Sequence, residues 1–246
     1  MGWWLLRRAR PDPMTAREER SGWMLISPWL IGFALFMAVP ILLSLALSMT
    51  RWSGITTLAE ADFVGIGNYD HLLRHDDVFW QSLKVTGIYA LLAVPIGQVV
   101  ALAGALLMNV KIRGVSLFRA AWYLPSILAG VGMAVLFRWV FNAENGLMNA
   151  ILDPVLSPFG LEPPDWFVRD AETFGGPAFA IMSLWLVGGS MMIYLAGLQN
   201  VPRSLHEAAE IDRAGPVRRF YSVTLPMISP VILFNVIMSL IGSFQV

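Results

Sequence analysis

The feature that most limits how this chain can fold is residues 23–49, a stretch of 27 residues without one charged side chain. An α-helix needs about 20 mainly apolar residues to cross the hydrocarbon core of a bilayer. Four further apolar runs follow along the chain. The sequence therefore predicts an all-α, polytopic transmembrane helix bundle with spans at about 23–49, 82–109, 120–141, 178–198 and 228–246.

The composition agrees with a membrane protein and excludes several other classes. Of the 246 residues, 57% are hydrophobic and 14% are charged, whereas a soluble domain has about 25% charged residues. Because the formal net charge is zero, we expect no nucleic-acid partner. The chain has no cysteine, which excludes disulfide bonds, thiolate metal sites and cysteine nucleophiles.

The basic residues of the loops predict the orientation. The tail 1–22, segment 110–119 and segment 199–226 together contain twelve lysine and arginine residues, whereas 50–80 and 142–177 contain three. Cytoplasmic loops carry the excess of basic residues. We therefore expect a cytoplasmic tail, 1–22, followed by a transmembrane domain, 23–246. The last span is still apolar at Val246, so we expect five spans of a total of six, with the C-terminal one missing.

The longest polar interval of the second half is residues 201–226, here called the 201–226 loop. Ser204 followed by Glu207 predicts a capping box at the start of a helix. The segment Asp212–Gly215 predicts the end of that helix, and Pro216 the first position of a second helical turn. Four residues recur at helical spacing and share one face: Leu205, Ala208, Ala209 and Asp212.

Motifs for chemistry or energy supply are absent from the sequence. Neither lysine, Lys84 or Lys111, belongs to a phosphate-binding G-x-x-x-x-G-K-[ST] loop, and no zinc-protease or serine-hydrolase motif occurs. His71 and His75 are four residues apart but lack clustered further ligands, so we predict no metal site. If the chain moves a solute, the energy must come from a partner.

Several motifs resemble those of a known family. Within the 201–226 loop, a motif matches the EAA motif of the membrane subunits of binding-protein-dependent ABC importers: Glu207, Ala208 and Ala209, then Asp212, Ala214 and Gly215, then Phe220, Leu225 and Pro226. Other segments are similar to carbohydrate-uptake permeases of the maltose and glycerol-phosphate type: Pro28–Phe33, Phe63–Gly65 with Asn68 and Tyr69, Phe118 and Arg119 with Leu124 and Pro125, and Trp139 with Phe141. The resemblance covers nearly the whole chain from about residue 23.

The resemblance implies a type I ABC importer fold and a coupling role for the 201–226 loop. Its first helix would dock into a groove of a separate ATPase subunit, which binds the ATP, so this chain would hold no cofactor and catalyse no reaction. The implied coupling residues are Leu205, Glu207, Ala208, Ala209, Asp212, Ala214, Gly215, Leu225 and Pro226. Arg213 stands where the family usually has glycine, and we expect Gly215 to take the left-handed conformation instead.

Polar residues within spans mark either helix–helix contacts or a solute pathway. One stripe of the fifth span carries Asn235, Ser239 and Ser243. One face of the fourth carries Ser183, Leu186, Val187 and Ser190. The resemblance implies a sugar pathway along these helices, whereas the serines fit interhelical hydrogen bonds equally well. Gln98 fits a helix–helix contact better than a ligand role. Gly188 and Gly189 are expected to loosen the fourth span.

The sequence thus predicts a permease subunit that imports a sugar or polyol across the bacterial inner membrane, with its N-terminus in the cytoplasm. The implied partners are a second permease subunit, two ATPase subunits, membrane lipid and an extracytoplasmic binding protein that delivers solute to the acidic outer loops. Two alternatives stay open. One is an importer of an amino acid or ion, and the other is a membrane enzyme that uses loop aspartates and histidines as acid and base.

Overall fold

The structure, a computed structural model, describes residues 13–57, 60–110, 112–127 and 130–245, with side chains from Arg17 onward. Residues 1–12 of the predicted tail lie outside the described residues. Residues 13–22 belong to a helix that continues into the first span. The described chain forms two compact units, divided between Phe79 and Trp80.

The first unit contains one long apolar helix and a small polar cap. Its elements are α1 (Pro13–Phe33), a π-helical segment (Ala34–Ala38), α2 (Val39–Ser48), β1 (Thr50–Arg51), β2 (Asp62–Phe63) and α3 (Gly67–His75). From Arg17 to Ser48 the helix is continuous and long enough to cross a bilayer, and its most apolar stretch has no buried residue. Side chains such as Leu25, which is 82% exposed, therefore require lipid or another subunit around them.

The segment after the first span is ordered by side-chain hydrogen bonds rather than being the plain loop that the sequence predicts. β1 pairs antiparallel with β2. The Asn68 side chain donates to the carbonyl oxygens of Ser48 and Thr50, each at 2.8 Å, and the Tyr69 hydroxyl lies 2.6 Å from Ser48 Oγ. Asn68 and Tyr69 thereby supply partners for the end of α2, where helical carbonyls would otherwise be unpaired.

Prolines explain the two π-helical segments of the chain's described part. Ala34–Ala38 ends two residues before Pro40, and Phe220–Thr224 ends two residues before Pro226. Proline lacks an N–H group, and its ring clashes with the carbonyl four residues earlier. A widened turn accommodates that missing bond without ending the helix. Both long helices therefore stay continuous.

The second unit is a helical bundle. Its elements are α4 (Asp77–Met108, which begins just before the division), α5 (Val115–Tyr123), a 3₁₀ turn (Leu124–Ile127), α6 (Gly130–Val140), α7 (Leu147–Leu156), a 3₁₀ turn (Ser157–Phe159), α8 (Ala171–Ser183), a 3₁₀ turn (Leu184–Leu186), α9 (Gly188–Gln199), α10 (Arg203–Ile211), α11 (Pro216–Arg219), a π-helical segment (Phe220–Thr224) and α12 (Leu225–Ser243). The predicted all-α bundle is therefore observed.

Three predicted segments differ in detail from the structure. The third and fourth spans are bent helix pairs rather than single helices: Val115–Ile127 meets Gly130–Val140 at 95°, and Ala171–Leu186 meets Gly188–Gln199 at 52°. The predicted outer loop 142–177 contains the apolar helix α7. The fifth span begins at Pro216 rather than near residue 228, because α11, the π-helical segment and α12 form one helix.

The core of the second unit joins α4, α9 and α12. Ala101 and Ala105 of α4 are fully buried against Met191 and Tyr194 of α9, and Ile228 of α12 completes the cluster. Small residues on α4 allow the helix backbones to approach closely, which is the main source of packing energy between helices in a membrane. This three-helix contact positions the site described next.

Candidate functional site

A cavity of about 300 Å³ lies between α4, the α8–α9 bend and α12. Six of the seven predicted pathway residues line it: Ser183, Leu186, Val187, Ser190, Ser239 and Ser243. The seventh, Asn235, is not among the lining residues. The sequence analysis missed the rest of the wall, which consists of Tyr89, Ala93, Val94, Gly97, Gln98 and Gly242. No obvious signal marked α4, since Gln98 is one polar residue in a long apolar run.

The wall of this cavity is polar but uncharged. Serine hydroxyls, the Tyr89 phenol and the Gln98 amide are its polar groups, and no ionisable acid or base other than Tyr89 lines it. An ion would lose its hydration here without a countercharge, which is costly. Hydroxyl and amide groups instead match a neutral solute rich in hydroxyl groups. The cavity chemistry therefore favours a neutral polar solute over an ion.

The serines differ in how their hydroxyls are used. Ser183 Oγ donates to the Ala180 carbonyl oxygen and Ser243 Oγ to that of Leu240, each at 2.7 Å and within the same helix. Ser239 Oγ instead accepts a bond from Gln98 Nε2 at 2.7 Å, across helices. Ser183 and Ser243 therefore do not join helices, and their oxygens keep acceptor capacity beside the cavity.

Gln98 fixes the inner end of the cavity wall. Its Nε2 bonds Ser239 of α12, and its Oε1 accepts the Tyr194 hydroxyl of α9 at 2.5 Å. Asn235, which is 2% exposed, lies beside this group, because Gln98 Nε2 is 3.5 Å from its carbonyl oxygen. Gln98 is thus both the helix–helix contact that the sequence favoured and a wall residue of the cavity. A wall residue bonded from two helices has a fixed orientation.

The bend that shapes the cavity depends on Gly188. A Cβ atom at this position would lie 2.5 Å from the Trp122 carbonyl oxygen and 2.9 Å from Tyr123 Cα. These are backbone atoms of α5, so they cannot rotate away. Gly188 is therefore required for close approach of two helices, and not merely to loosen the span, whereas Gly189 has nothing within 4 Å.

The start of α10 corrects the predicted capping box. The helix begins at Arg203, Pro202 is its N-cap residue, and no side chain caps it. Ser204 lies inside the first turn, so it does not occupy the cap position from which its hydroxyl would bond the third helical residue. The capping-box prediction was wrong because the preceding proline, with φ −60° and ψ 129°, already directs the chain into the helix one residue earlier.

The end of α10 corrects the prediction for Gly215. Arg213 itself has φ 55°, whereas Gly215 is extended with φ −66° and ψ 167°. The Arg213 N–H donates to the Glu210 carbonyl oxygen, and the Ala214 N–H donates to that of Ala209, each at 2.9 Å. This pair of bonds is the Schellman motif, which requires a left-handed residue where Arg213 stands. Gly215 instead precedes Pro216 at the start of α11, as the predicted helix stop and restart require.

The predicted coupling residues fall into two groups. Five of them line a cleft of about 320 Å³ between α10 and the α11 region: Leu205, Ala208, Ala209, Asp212 and Ala214. Glu207 is exposed outside this cleft. Beside it Ile211 is 83% exposed, an apolar residue that the sequence analysis missed. Gly215, Leu225 and Pro226 lie at helix starts.

The 201–226 loop is joined rigidly to the cavity. An ion pair between Glu210 and Arg219 holds α10 to α11. From Pro216 the helix continues without interruption to Ser243 in the cavity wall. Since a helix transmits displacement along its axis, movement of α10 would reach Ser239 and Ser243 directly. This continuity was not apparent in the sequence, which placed a separate loop before the fifth span.

The histidine pair lies apart from these features. The rings of His71 and His75 stack with centroids 5.8 Å apart. Within the described ranges, no group of three or more histidine, aspartate or glutamate residues could hold a metal ion.

Known proteins share both the sequence and the fold of this chain. Residues 93–245 match the family model described as "Binding-protein-dependent transport system inner membrane component". The probable ABC transporter permease protein YesP of Bacillus subtilis is 36% identical, over 93% of this chain and 72% of YesP. The lactose transport system permease protein LacF of Rhizobium radiobacter is 37% identical, over 92% of this chain and 73% of LacF.

A solved structure has the same architecture. A crystal structure of a bacterial ABC transporter involved in the import of the acidic polysaccharide alginate contains a chain with a TM-score of 0.71. It is 21% identical and covers 95% of this chain and 77% of that chain. The matched family segment contains the cavity and the 201–226 loop. The chain is therefore a member of the family of inner membrane components of binding-protein-dependent transport systems, a multi-pass permease subunit of an ABC importer and not an enzyme.

Proposed function

We propose that this permease subunit passes a sugar or polyol across the inner membrane through the cavity between α4, α9 and α12. The observation that carries the proposal is the uncharged, hydroxyl- and amide-lined wall, in which Gln98 is held from two helices. Its relatives support a sugar, since LacF is named for lactose and a relative from Thermococcus litoralis, 31% identical over 94% of this chain and 75% of its own length, is a trehalose/maltose transport system permease protein.

The energy for this transport comes from a partner. In the proposed assembly, two ATPase subunits bind and hydrolyse ATP, one of them docks on α10, and a second permease subunit closes the pathway. ATPase closure moves α10, and the Glu210–Arg219 pair and the continuous helix carry that movement to the cavity. Twelve basic residues on the tail and the 201–226 side, against three opposite, place the N-terminus and α10 in the cytoplasm. A binding protein then delivers solute at the opposite side.

Leucine at Ser239 or Ser243 is expected to change transport without preventing assembly. Either substitution removes a hydroxyl from the cavity and fills part of its about 300 Å³ volume. Ser239→Leu also removes the acceptor of Gln98 Nε2. We expect sugar uptake by proteoliposomes containing the complete importer to fall at least about tenfold, the scale expected when a buried polar group loses its partner. Ser229→Leu, on an exposed side of the same helix, is the matched control.

Uptake and solute range should both be measured, with copurification of the ATPase subunits as the assembly check. Unchanged uptake and unchanged solute range in both cavity variants, with the importer assembled, would remove this cavity from the pathway.

A further inference from the structure

A second cavity, of about 440 Å³, lies where the ends of α4 and α9 meet the starts of α5 and α10. It is on the side of the bundle that carries the 201–226 loop. Three cationic or titratable side chains line it, namely Arg119, Arg203 and His206, with the apolar side chains of Val110, Leu198 and Val201 and two side-chain amides. No carboxylate lines this cavity.

Arg119 is only partly satisfied within the chain. Its Nη2 donates to the Met108 carbonyl oxygen at 2.6 Å. Its Nε is buried and has no hydrogen-bond partner among the described residues. A buried guanidinium N–H without an acceptor is costly, and a guanidinium binds planar oxyanions through two parallel bonds. This side chain therefore calls for an acceptor that the described chain does not supply.

The charge around Arg119 is also uncompensated. Arg203 and His206 lie on one side of α10, and no ion pair within the described ranges involves Arg119 or Arg203. Glu210 lies one turn beyond His206 and is already paired with Arg219. The uncapped N-terminus of α10 adds the positive end of the helix dipole. The cavity is thus an electropositive site without an internal anion.

The surroundings of the cavity favour an amphiphilic anion. Leu107 at the end of α4 is 70% exposed, and Leu117 at the start of α5 is 74% exposed. These side chains lie at the ends of membrane helices next to the cavity, where acyl chains would cover them. Basic cavities between transmembrane helices on the cytoplasmic side bind the head groups of anionic lipids. We propose that this cavity binds the phosphate of an anionic phospholipid, with Arg119 and Arg203 as its principal donors.

The lipid site goes beyond the transport function proposed above and depends on it only for the choice of leaflet. Removal of both arginine charges should therefore weaken retention of phosphatidylglycerol. Each basic residue near a membrane surface contributes about a fivefold gain in lipid binding, so we expect Arg119→Gln/Arg203→Gln to weaken binding on the order of 25-fold. Native mass spectrometry of the assembled importer, titrated with phosphatidylglycerol in detergent, measures this. Arg113→Gln, an exposed arginine outside the cavity, should leave retention unchanged.

Because Arg119 also bonds Met108, the single variant Arg203→Gln guards against misfolding and should weaken binding about fivefold. Parallel titrations with phosphatidylcholine and with inorganic phosphate distinguish the sources of the anion. Preferential retention of phosphatidylglycerol that the arginine variants abolish supports the proposal. Equal retention by wild type and Arg203→Gln overturns it. Displacement of the lipid by millimolar inorganic phosphate assigns the cavity to free phosphate and overturns the lipid site. Loss of the ATPase subunits from Arg203→Gln with lipid retention unchanged assigns the cations to that interface, which also overturns it.

Discussion

Alanine at Gly188 is expected to lower solute uptake by the assembled importer at least about tenfold and to destabilise the bundle by roughly 1–3 kcal/mol, the usual cost of overpacking. The added Cβ atom would lie 2.5 Å from the Trp122 carbonyl oxygen. The obstructing atoms belong to the backbone of α5, so α9 must move away. Since Val187 and Ser190, on either side of Gly188, line the cavity, that movement changes the cavity as well.

Gly189→Ala is the matched control for this effect. A Cβ atom at Gly189 meets nothing within 4 Å, and alanine is the better helix former by about 1 kcal/mol. Thermal unfolding of the detergent-solubilised importer and uptake by proteoliposomes should therefore separate the two neighbours: Gly188→Ala melts lower and transports poorly, and Gly189→Ala is equal to or better than wild type. Equal behaviour of the two variants would show that α5 and α9 do not approach as closely as described.

Tryptophan at Ala208 is expected to uncouple ATP hydrolysis from transport. Ala208 is an exposed small residue on α10, between the cleft and the outward side of that helix. A partner that docks on α10 approaches closely only if this side chain stays small. Blocking a central contact of a protein interface costs about 2 kcal/mol or more, which corresponds to at least about a 30-fold loss of association.

Ala208→Ser keeps the side chain small and should behave as wild type. Copurification of the ATPase subunits and solute-stimulated ATP hydrolysis measure docking and coupling, while thermal unfolding checks that the bundle is intact. If Ala208→Trp retains full coupling, the partner contacts another part of α10, such as the outward side with Glu207 and Ile211, and the role predicted for Ala208 is wrong.

The sequence predicted the class and much of the cavity because those features depend on local composition. Apolar runs of bilayer length lead to spanning helices whatever their neighbours are. The stripe of Ser239 and Ser243 follows from helical periodicity alone. The facing wall on α4 was missed, since the side of a uniformly apolar helix that faces a cavity is decided by packing. Gln98 acquired its role only when α9 and α12 brought Tyr194 and Ser239 to it.

The errors at the 201–226 loop have a common physical cause. Local rules placed the left-handed residue at a glycine, because glycine has no Cβ atom to clash. The bonds that end α10 instead fix the position as Arg213, at a cost of roughly 1–2 kcal/mol for a left-handed residue with a side chain. Likewise, Pro226 looked like a boundary before the last span, whereas the π-helical segment before it keeps the helix continuous. Such compensation between neighbouring turns is not visible in residue preferences.

The most direct test of the account is ATP hydrolysis measured on the purified chain alone and on the complete importer in proteoliposomes. The chain has no phosphate-binding loop, and its described part links α10 to the cavity by one continuous helix. We therefore expect no hydrolysis by the chain alone, and hydrolysis by the complete importer that rises with solute-loaded binding protein and accompanies uptake. Hydrolysis by the chain alone, or uptake that proceeds without the ATPase subunits, would contradict the account.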